Sequence, residues 1–411
     1  MTFEGMFLGG GDEVGRLGLL LKGRERRILF DYGMTATSPP KYPIPCPPVD
    51  TMFLTHSHLD HCGMIPWLTA RYDIPIVSTG VSREIGALLM EDSIKVGASE
   101  GYPEMYQSTD VKIARKKFDD IMYGDTTTSG DLQIKAHSAG HIPGATMFEI
   151  VDDKTTLVTG DLHTLDTRLV LGAKPVKCDN LVMESTYSGR NHPPRLKTEY
   201  DLLKKVEQVV QRGGLAIIPS FAVGRTQELM LLLKDSRFDF WLDGMGKTVN
   251  GIYLDFPEFL RSAKRLRQAL NKTNVVRNGR ARGRAVKGEV ILTTSGMLDG
   301  GPVLSYVEAI RQDAKSAILL TGYQVEGSNG RKLLETGMMD FQGVSERVQC
   351  EVMKFDFSAH AGHNELLEFA KACEPERIVL MHGDDREILA GDLRARGFEV
   401  LLPKNGEKFQ L

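Results

Sequence analysis

Apolar and polar positions change their spacing along the chain, and the changes divide it into three segments. Residues 3–191 carry short apolar runs separated by turns, which predicts a β-rich layer. From about residue 192, apolar runs of strand length alternate with helical periods, which is typical of a doubly wound α/β domain with its own core. Beyond residue 350, two apolar runs again end in histidine. We therefore predict one fold formed by residues 1–191 and 351–411, with residues 192–350 inserted as a second domain.

The individual elements follow from the same spacing. In the first segment the predicted strands cover residues 3–8, 17–22, 27–30, 49–55, 132–136, 146–151, 155–158 and 181–184, and a helix covers residues 82–98 with Ser82 as its cap. In the second segment, helices at 196–212, 225–233 and 303–311 alternate with strands at 215–219, 289–293 and 317–321. The last segment has a strand that ends at His360, a strand at 377–381 and helices at 364–372 and 385–395.

Composition is that of an ordinary globular protein with two domains. The chain has 411 residues, too many for one ordinary core, and 41% of them are hydrophobic. No apolar run reaches the roughly 18 residues of a membrane span, and residues 1–8 lack the features of a signal peptide. The five cysteines are scattered and form no Cys-x-x-Cys pair. We therefore expect a cytoplasmic protein without a disulfide framework.

The strongest chemical signal is the stretch Thr55-His56-Ser57-His58-Leu59-Asp60-His61, which follows a predicted strand. Four metal-binding side chains within six residues, on a short loop at the exit of a strand, can be held as rigidly as a metal site requires. Imidazole and carboxylate ligands without thiolates suit a catalytic zinc or a similar ion. A polar surface loop is the alternative. The adjacent Cys62 is expected to be buried behind the site rather than to bind metal.

More residues of the same kind occur at other predicted strand ends. They are His141, Asp161, Glu184, His360 and His382, and a glycine precedes both His141 and Asp161. These ligands are too many for one ion and suit two, which can lower the pKa of a shared water and stabilise charge on a phosphoryl oxygen. Hydrolysis also needs a proton for the leaving oxygen, which a histidine held by a carboxylate and not bound to metal would supply. Asp31, at the end of a strand, either orients a ligand histidine or begins a turn.

The distribution of charge adds a second signal, although the net charge is only −3. Residues 261–287 contain ten Lys or Arg and no Asp or Glu. Within them, Arg277, Arg280, Arg282 and Arg284 alternate with small residues, as in a flexible loop that grips phosphates. A solvated helix face followed by a charged loop is the alternative.

Together these segments resemble the β-CASP group of metallo-β-lactamase-fold nucleases, and within it the nuclease subunit of the cleavage and polyadenylation specificity factor in its short archaeal form. The resemblance covers nearly the whole chain. The motifs that carry it are His56-Ser57-His58-Leu59-Asp60-His61-Cys62-Gly63, Ala139-Gly140-His141-Ile142-Pro143-Gly144, Thr159-Gly160-Asp161, Glu184-Ser185-Thr186-Tyr187, Pro219-Ser220-Phe221-Ala222-Val223-Gly224-Arg225, Ser295-Gly296-Met297, Gly322-Tyr323-Gln324, Ser358-Ala359-His360-Ala361 and His382-Gly383.

The resemblance implies a metallo-β-lactamase αββα sandwich with an inserted β-CASP doubly wound α/β domain. It implies two Zn²⁺ per chain, or Mn²⁺ in their place: one held by His56, His58 and His141, the other by Asp60, His61 and His382, with Asp161 between them. His360 would be the general acid, paired with Glu184, and Asp31 would support a ligand from behind. Residues near the substrate would be Ser220, Arg225, Ser295, Gly296 and Ser358. The implied function is hydrolysis of single-stranded RNA, within the strand or from its 5′ end, in RNA 3′-end processing or decay, by a homodimer.

One departure and three alternatives accompany this reading. Gly362-His363 stands where many members of the family have Asp followed by Arg or Tyr, so a phosphate contact by that turn is in question. A ribonuclease J-like decay enzyme would have similar chemistry, but the motif variants around His58 and His360 point away from it. A small-molecule hydrolase would not need so large an inserted domain. A catalytically silent RNA-binding subunit would be expected to have lost ligands, and here none is missing.

Overall fold

The computed structural model describes residues 3–341 and 343–411; the first two residues of the predicted first domain, and Gln342, lie outside the described residues. The chain forms two compact units. Unit 1 comprises the residues up to Asp166, Val170–Asn191 and His360–Leu411, and unit 2 comprises Thr167–Leu169 and His192–Ala359. The chain therefore leaves unit 1 and returns to it.

The first part of unit 1 contains eleven strands and four helices. The strands are β1 (Glu4–Gly9), β2 (Gly18–Lys22), β3 (Arg27–Phe30), β4 (Thr51–Phe53), β5 (Ile76–Ser78), β6 (Phe118–Asp120), β7 (Thr126–Ser129), β8 (Leu132–Ser138), β9 (Thr146–Val151), β10 (Thr155–Val158) and β11 (Asn180–Glu184). The helices are α1 (Leu59–Cys62), α2 (Ile65–Thr69), α3 (Gly80–Glu100) and α4 (Ser108–Arg115).

The central part of the chain alternates helices and strands. The helices are α5 (Arg195–Gln211), α6 (Arg225–Leu233), α7 (Gly246–Asp255), α8 (Ala263–Lys272), α9 (Gly279–Ala285), α10 (Val303–Ile310) and α11 (Asn329–Thr336). The strands are β12 (Ala216–Pro219), β13 (Phe240–Asp243), β14 (Asn274–Val275), β15 (Val290–Thr293), β16 (Ala317–Leu320), β17 (Met338–Phe341), β18 (Val344–Arg347) and β19 (Glu351–Lys354). The C-terminal part adds α12 (His363–Cys373), β20 (Arg377–Met381), α13 (Arg386–Ala395), β21 (Glu399–Leu401) and β22 (Lys408–Gln410).

Unit 1 is built from two seven-stranded sheets that face each other. Their strand orders are β22-β1-β2-β3-β4-β5-β6 and β21-β20-β11-β10-β9-β8-β7. The inner faces of both sheets supply one apolar core, in which Phe30, Phe53 and Phe148 are in ring contact. Helices α2, α3 and α4 form a second core with the outer face of the first sheet, and α13 packs against β20 and β21. The layers are therefore helix, sheet, sheet, helix.

Unit 2 contains a six-stranded sheet of order β14-β13-β15-β12-β16-β19, in which every pair of neighbours is parallel. Its inner strands β12, β15 and β16 are buried along their whole length, as parallel strands covered on both faces must be. The three residues Thr167–Leu169 join this unit because the Glu228 carboxylate accepts hydrogen bonds from the backbone N–H groups of Arg168 and Leu169, at 3.0 and 2.9 Å.

The structure differs from the sequence-based assignment at the end of the insertion. Strand β19 was predicted to lie beyond the inserted domain. It instead pairs with β16, with Glu351 opposite Ala317 and Lys354 opposite Leu320, and so belongs to the sheet of unit 2. The strand ends at Lys354, and the residues from Phe355 to His360 are not a strand. His360 therefore lies on a loop and not at a strand end.

Two further local predictions were wrong. The cap of α3 is Thr79, whose side chain accepts a hydrogen bond from the N–H of Ser82, so the helix begins earlier than predicted. Residues 277–284 are not a flexible loop, because most of them belong to α9, which Asn278 caps. Among the helices of the described residues, none combines the length and the hydropathy that crossing a membrane requires.

Candidate metal centre

Most of the predicted ligands follow strands of the two facing sheets of unit 1. His56 follows β4, His141 follows β8, Asp161 follows β10 and His382 follows β20. Strands β10, β11 and β20 run parallel and in register, so their carboxyl ends lie at one edge of the second sheet. Ligand sites in sheets with parallel strands commonly form at this edge. The fold therefore brings side chains from distant parts of the sequence to one place.

The first group of ligand atoms is formed by three histidines and one carboxylate. The His58 Nδ1 atom lies 3.1 Å from both His56 Nε2 and His141 Nε2. The Asp161 Oδ2 atom is 3.4 Å from His56 Nε2 and 3.6 Å from His141 Nε2. All four atoms lie within 4.8 Å of one another. Three imidazoles and a carboxylate are a set of donors of the kind that zinc prefers.

The second group uses the other oxygen of the same carboxylate. The Asp161 Oδ1 atom is 3.3 Å from His61 Nε2 and 3.4 Å from His382 Nδ1. The Asp60 Oδ2 atom is 3.4 Å from His382 Nε2 and 3.9 Å from His61 Nε2. Because the two oxygens of Asp161 face different groups of ligands, this side chain can bridge two ions.

Asp31 fixes one ligand of the second group from behind. It is fully buried, and its Oδ2 atom accepts a hydrogen bond of 2.7 Å from His61 Nδ1. The same carboxylate accepts hydrogen bonds of 2.7 Å from the N–H and the hydroxyl of Thr55. These bonds set the tautomer of His61 and leave its Nε2 atom free to bind a cation. Of the two readings of Asp31 in the sequence, the geometry favours the one in which it orients a ligand histidine.

Two glycines let the backbone carry ligands inward. Gly140 and Gly160 have φ angles of +70° and +57°, a region that L-residues rarely adopt. A Cβ atom on Gly140 would lie 2.2 Å from the carbonyl oxygen of His163, and one on Gly160 would lie 2.6 Å from the Cβ atom of Thr55. Both positions therefore require glycine directly before His141 and Asp161.

The residues present fit a divalent metal centre. The Nε2 atom of His61 and the Oδ1 atom of Asp161 are buried and, within the described part of the chain, have no hydrogen-bond partner. Burial lowers the pKa of His56 to about 3 and that of His58 to about 4, so both rings are neutral and offer lone pairs. Neutral imidazoles that converge on a buried carboxylate are what a cation requires and what a purely structural cluster would avoid.

His360 and Glu184 form a pair beside this cluster. The His360 Nδ1 atom donates a hydrogen bond of 3.0 Å to Glu184 Oε1, and the His360 Nε2 atom lies 3.8 Å from Asp161 Oδ2. Glu184 also accepts a hydrogen bond of 2.6 Å from the N–H of Leu162. Burial lowers the pKa of His360, but the carboxylates of Glu184 and Asp161 outweigh it and raise the pKa to about 9. The ring is thus held as a proton donor with Nε2 towards the ligand groups.

The departure at Gly362-His363 has a structural role that the sequence did not reveal. The His363 Nδ1 atom accepts a hydrogen bond of 2.9 Å from the N–H of Gly189, and its Nε2 atom lies 2.9 Å from Asp392 Oδ2. His363, the first residue of α12, therefore ties the turn at residues 186–189, which follows β11, to α13. Thr186, on the same turn, contacts His382 Nδ1 at 3.2 Å through its hydroxyl. Neither Thr55 nor Thr186 was singled out, because a threonine beside a motif carries no distinctive signal.

The remaining residues near the site have ordinary partners. Cys62 is fully buried, as expected, and its thiol donates to the carbonyl oxygen of Ser57 at 3.1 Å. His137 pairs with Glu149 across β8 and β9 at 2.7 Å, and it lies outside the two ligand groups. This histidine provides a natural control for substitutions in the cluster.

The predicted substrate-binding residues all lie in unit 2. Ser220 and Ser295 follow the carboxyl ends of the neighbouring strands β12 and β15, whose last residues Pro219 and Thr293 pair in register. The hydroxyl of Ser220 is buried and lies 2.8 Å from that of Thr226. The Arg225 guanidinium donates to the carbonyl of Thr321. The Gly296 carbonyl accepts a hydrogen bond from Gln324, and Ser358 lies on the loop after β19.

Three family models match successive parts of the chain. The metallo-beta-lactamase superfamily matches residues 12–212, the Beta-Casp domain matches residues 226–333, and the Zn-dependent metallo-hydrolase RNA specificity domain matches residues 345–403. These matches confirm the predicted fold class, a metallo-β-lactamase fold that carries an inserted β-CASP domain.

Curated relatives and a solved structure align with nearly the whole chain. The chain is 37% identical to the "Probable RNase MJ4" of Methanocaldococcus jannaschii, over 99% of this chain and 100% of the relative. It is 34% identical to the "RNase aCSPSF2" of Saccharolobus solfataricus, over 100% and 86% respectively. It is 32% identical to the "Transcription termination factor FttA" of Pyrococcus horikoshii, over 98% and 70%. A solved structure of a protein of unknown function from Enterococcus faecalis V583 aligns over the whole of both chains, with a TM-score of 0.62 and 14% identity, and so shares the fold.

Proposed function

Because the chain belongs to the β-CASP family of the metallo-β-lactamase superfamily, we propose that it is a metal-dependent ribonuclease that hydrolyses phosphodiester bonds of single-stranded RNA. The observation that carries the proposal is the convergence of six histidines, two aspartates and one glutamate in unit 1, most of them on or directly after strands of its two sheets. Relatives with the word RNase in their names support RNA as the substrate.

We propose that two divalent ions, Zn²⁺ or Mn²⁺, occupy the two ligand groups. His56, His58 and His141 would hold one ion, Asp60, His61 and His382 the other, and Asp161 both. Such a pair, when bound, supplies an activated water and positive charge beside the phosphoryl oxygens. Asp31 contributes by keeping His61 in the tautomer that binds.

His360 acts as the general acid in this proposal. Its Nδ1–H bond to Glu184 fixes the ring, so that the Nε2–H group points towards the ligand groups and can protonate the ribose oxygen that leaves. Glu184 is a positioning residue, held in turn by the N–H of Leu162. In unit 2, Ser220, Arg225, Ser295, Gly296 and Ser358 are proposed to lie near the RNA backbone.

The experiment that tests the function follows RNA labelled at each end in turn. The full chain, with Zn²⁺ or Mn²⁺ added, is incubated with single-stranded RNA bearing a 5′-phosphate or a 5′-triphosphate. We expect cleavage that a chelator and the substitution His58→Ala both abolish, while His137→Ala, as the matched control, leaves it unchanged. The pattern of products distinguishes internal cleavage from trimming at the 5′ end. Intact RNA with metal-loaded protein would contradict the proposal.

A further inference from the structure

The basic segment of unit 2 is ordered by two caps and one anchor. Helix α8 begins after Ser262, strand β14 pairs with β13, and α9 begins after Asn278. The small residues Ala281 and Ala285 of α9 are buried in the apolar cluster that covers one face of the sheet. The position of α9 therefore fixes where Arg282 and Arg284 leave the backbone, and the two side chains leave it in different directions.

Arg282 is the arginine that anchors the helix. Its Nε and Nη2 atoms lie 3.0 and 2.8 Å from Oδ2 of Asp243, the last residue of β13. Lys247 and the hydroxyl of Tyr306 also donate to this carboxylate, which is almost fully buried. The guanidinium of Arg282 thus has a structural role, because its charged hydrogen bonds to Asp243 hold α9 on the sheet.

The other basic side chains of the segment point to solvent. Arg277, Arg280, Arg284 and Lys287 are all exposed, and none of them has an acidic partner within residues 3–341 and 343–411. Four positive charges within eleven residues repel one another. This repulsion lowers the stability of the folded protein unless a bound anion offsets it. We call these four residues the α9 surface.

Two features of the α9 surface fit a nucleic-acid strand rather than any anion. The guanidinium of Arg284 lies 5.8 Å from the ring of Trp241, which is partly exposed, so an aromatic face adjoins the charges. Gly279 and Gly283 lie on the exposed side of α9, where an added Cβ would have nothing within 4 Å. Packing does not require glycine there, and glycine inside a helix costs about 0.5–1 kcal/mol. Bare backbone at this point allows another backbone to approach closely.

We propose that the α9 surface is an RNA-binding site of unit 2, at which Arg277, Arg280, Arg284 and Lys287 bind consecutive phosphates of a single strand and Trp241 stacks on a base. Basic grooves with adjacent aromatic rings bind single strands in this way without reading sequence. The choice of RNA over another polyanion rests on the function proposed above. The site increases the affinity for long RNA and takes no part in the chemical step.

Binding of a fluorescent 30-nucleotide RNA to the full chain tests the proposal, in a His360→Gln background that slows cleavage. The charge variant changes Arg277, Arg280, Arg284 and Lys287 to Gln. Its matched control changes Lys95, Lys112, Lys116 and Lys174, four exposed lysines of unit 1, to Gln and has the same net charge. We expect the charge variant alone to bind about 10–30-fold more weakly at 0.1 M salt. The slope of log K against log salt should fall by roughly 2–3, at about 0.7 for each lost phosphate contact.

A second variant keeps every charge. Gly283→Leu should weaken RNA binding several-fold by blocking close approach, without loss of the helix in circular dichroism. The proposal would be overturned if RNA binding were weakened equally in the control variant, or if both α9 variants kept the unaltered RNA affinity. An acidic protein would then be the partner that fits the α9 surface.

The outcomes also separate this site from the ribonuclease function. In the active chain, we expect the charge substitutions to raise KM for the long RNA and to leave kcat unchanged. A chain that cleaves no RNA, but whose binding depends on the α9 surface, would refute the function and keep the site. If the chain cleaves RNA and the charge substitutions leave KM unaltered, the ribonuclease function stands and the RNA-binding site at the α9 surface is refuted.

Discussion

The ligand cluster of unit 1 and the α9 surface of unit 2 solve opposite problems with charged side chains. Most side chains of the cluster are buried, and its members come from parts of the sequence up to some three hundred residues apart. The α9 surface is exposed and comes from one continuous stretch of eleven residues. Buried groups act at close range in a low dielectric, so each position matters, whereas exposed charges act as a screened sum. The comparison predicts steep effects in unit 1 and graded effects in unit 2.

The steepest effect is expected for Asp161→Asn. Both oxygens of this side chain face ligand groups, at 3.3–3.6 Å from four different histidines, and an amide nitrogen would present a donor to one of them. We expect RNA cleavage to fall at least about 10³-fold, with loss of bound metal measured by atomic emission. Asp131→Asn, an exposed position in the same unit, should change neither quantity. Full activity in the Asp161 variant would show that RNA cleavage does not require the Asp161 carboxylate.

His360→Gln is expected to come next, and it separates proton transfer from metal binding. The loss of a general acid should lower kcat for RNA by about 10²–10⁴-fold, while the metal content stays at the wild-type level. An aryl phosphodiester with a good leaving group needs no proton, so its hydrolysis should fall far less. If both substrates lost the same factor, His360 would have some other role.

Asp31→Asn should have an intermediate effect that added metal can reverse. Asparagine keeps an acceptor for the N–H of Thr55 but loses the charge that holds the His61 Nδ1–H group. We expect the metal affinity of the second ligand group to fall by about 10–100-fold. Titration of activity with Zn²⁺ or Mn²⁺ should then restore turnover, unlike in the Asp161 variant. A variant that excess metal cannot rescue would contradict a supporting role.

Asp243→Asn tests the buried anchor of the exposed surface, through stability rather than activity. Burial raises the pKa of Asp243, but hydrogen bonds from Lys247, Arg282 and Tyr306 outweigh it and hold the pKa below its ordinary value. Removal of the charge takes the buried anionic acceptor away from Arg282 and Lys247, whose side chains are 43% and 31% exposed. Because solvent screens these cations, the change should cost about 1–2 kcal/mol and lower the Tm by roughly 3–6 °C.

The destabilisation caused by Asp243→Asn should depend on pH in a definite direction. A carboxylate whose pKa is lower in the folded state contributes stability above its unfolded pKa, and that stability is lost as the pH falls through the folded pKa. The difference in unfolding free energy between wild type and Asp243→Asn should therefore be constant from about pH 5 to 8 and narrow below about pH 4. A difference that widened in acid would exclude the ion pair as its cause.

The smallest effect is expected for Arg280→Gln alone. One exposed phosphate contact out of four should change RNA affinity by only about 2-fold and the salt slope by about 0.7. The four single substitutions should add approximately, because exposed and screened charges act independently. A single arginine that accounted for most of the affinity would remove the contrast between the two regions.

Particular residues show where sequence reasoning succeeded and where it failed. His56, His58, Asp60 and His61 lie within six residues after an apolar strand, and the other candidate ligands follow strands of the same kind. Local patterns were therefore enough to predict a set of side chains that the structure brings together. Nothing in the sequence indicated the structural contacts made by the turn at Gly362-His363, since its partners Gly189 and Asp392 are distant in sequence. The flexible loop expected at Arg277–Arg284 became a helix because Asn278 caps it and Asp243 anchors it.

The sequence by itself indicated the candidate ligands, the strands that most of them follow and the insertion of one α/β unit into another fold, because these follow from periodicity and from the chemistry of side chains. Only the tertiary structure decided which atoms converge. It directed the two oxygens of Asp161 to different ligand groups, it assigned β19 to the sheet of unit 2, and it paired Arg282 with the buried Asp243 while four basic neighbours stayed in solvent. These outcomes depend on contacts between residues far apart in the chain, which no local pattern encodes.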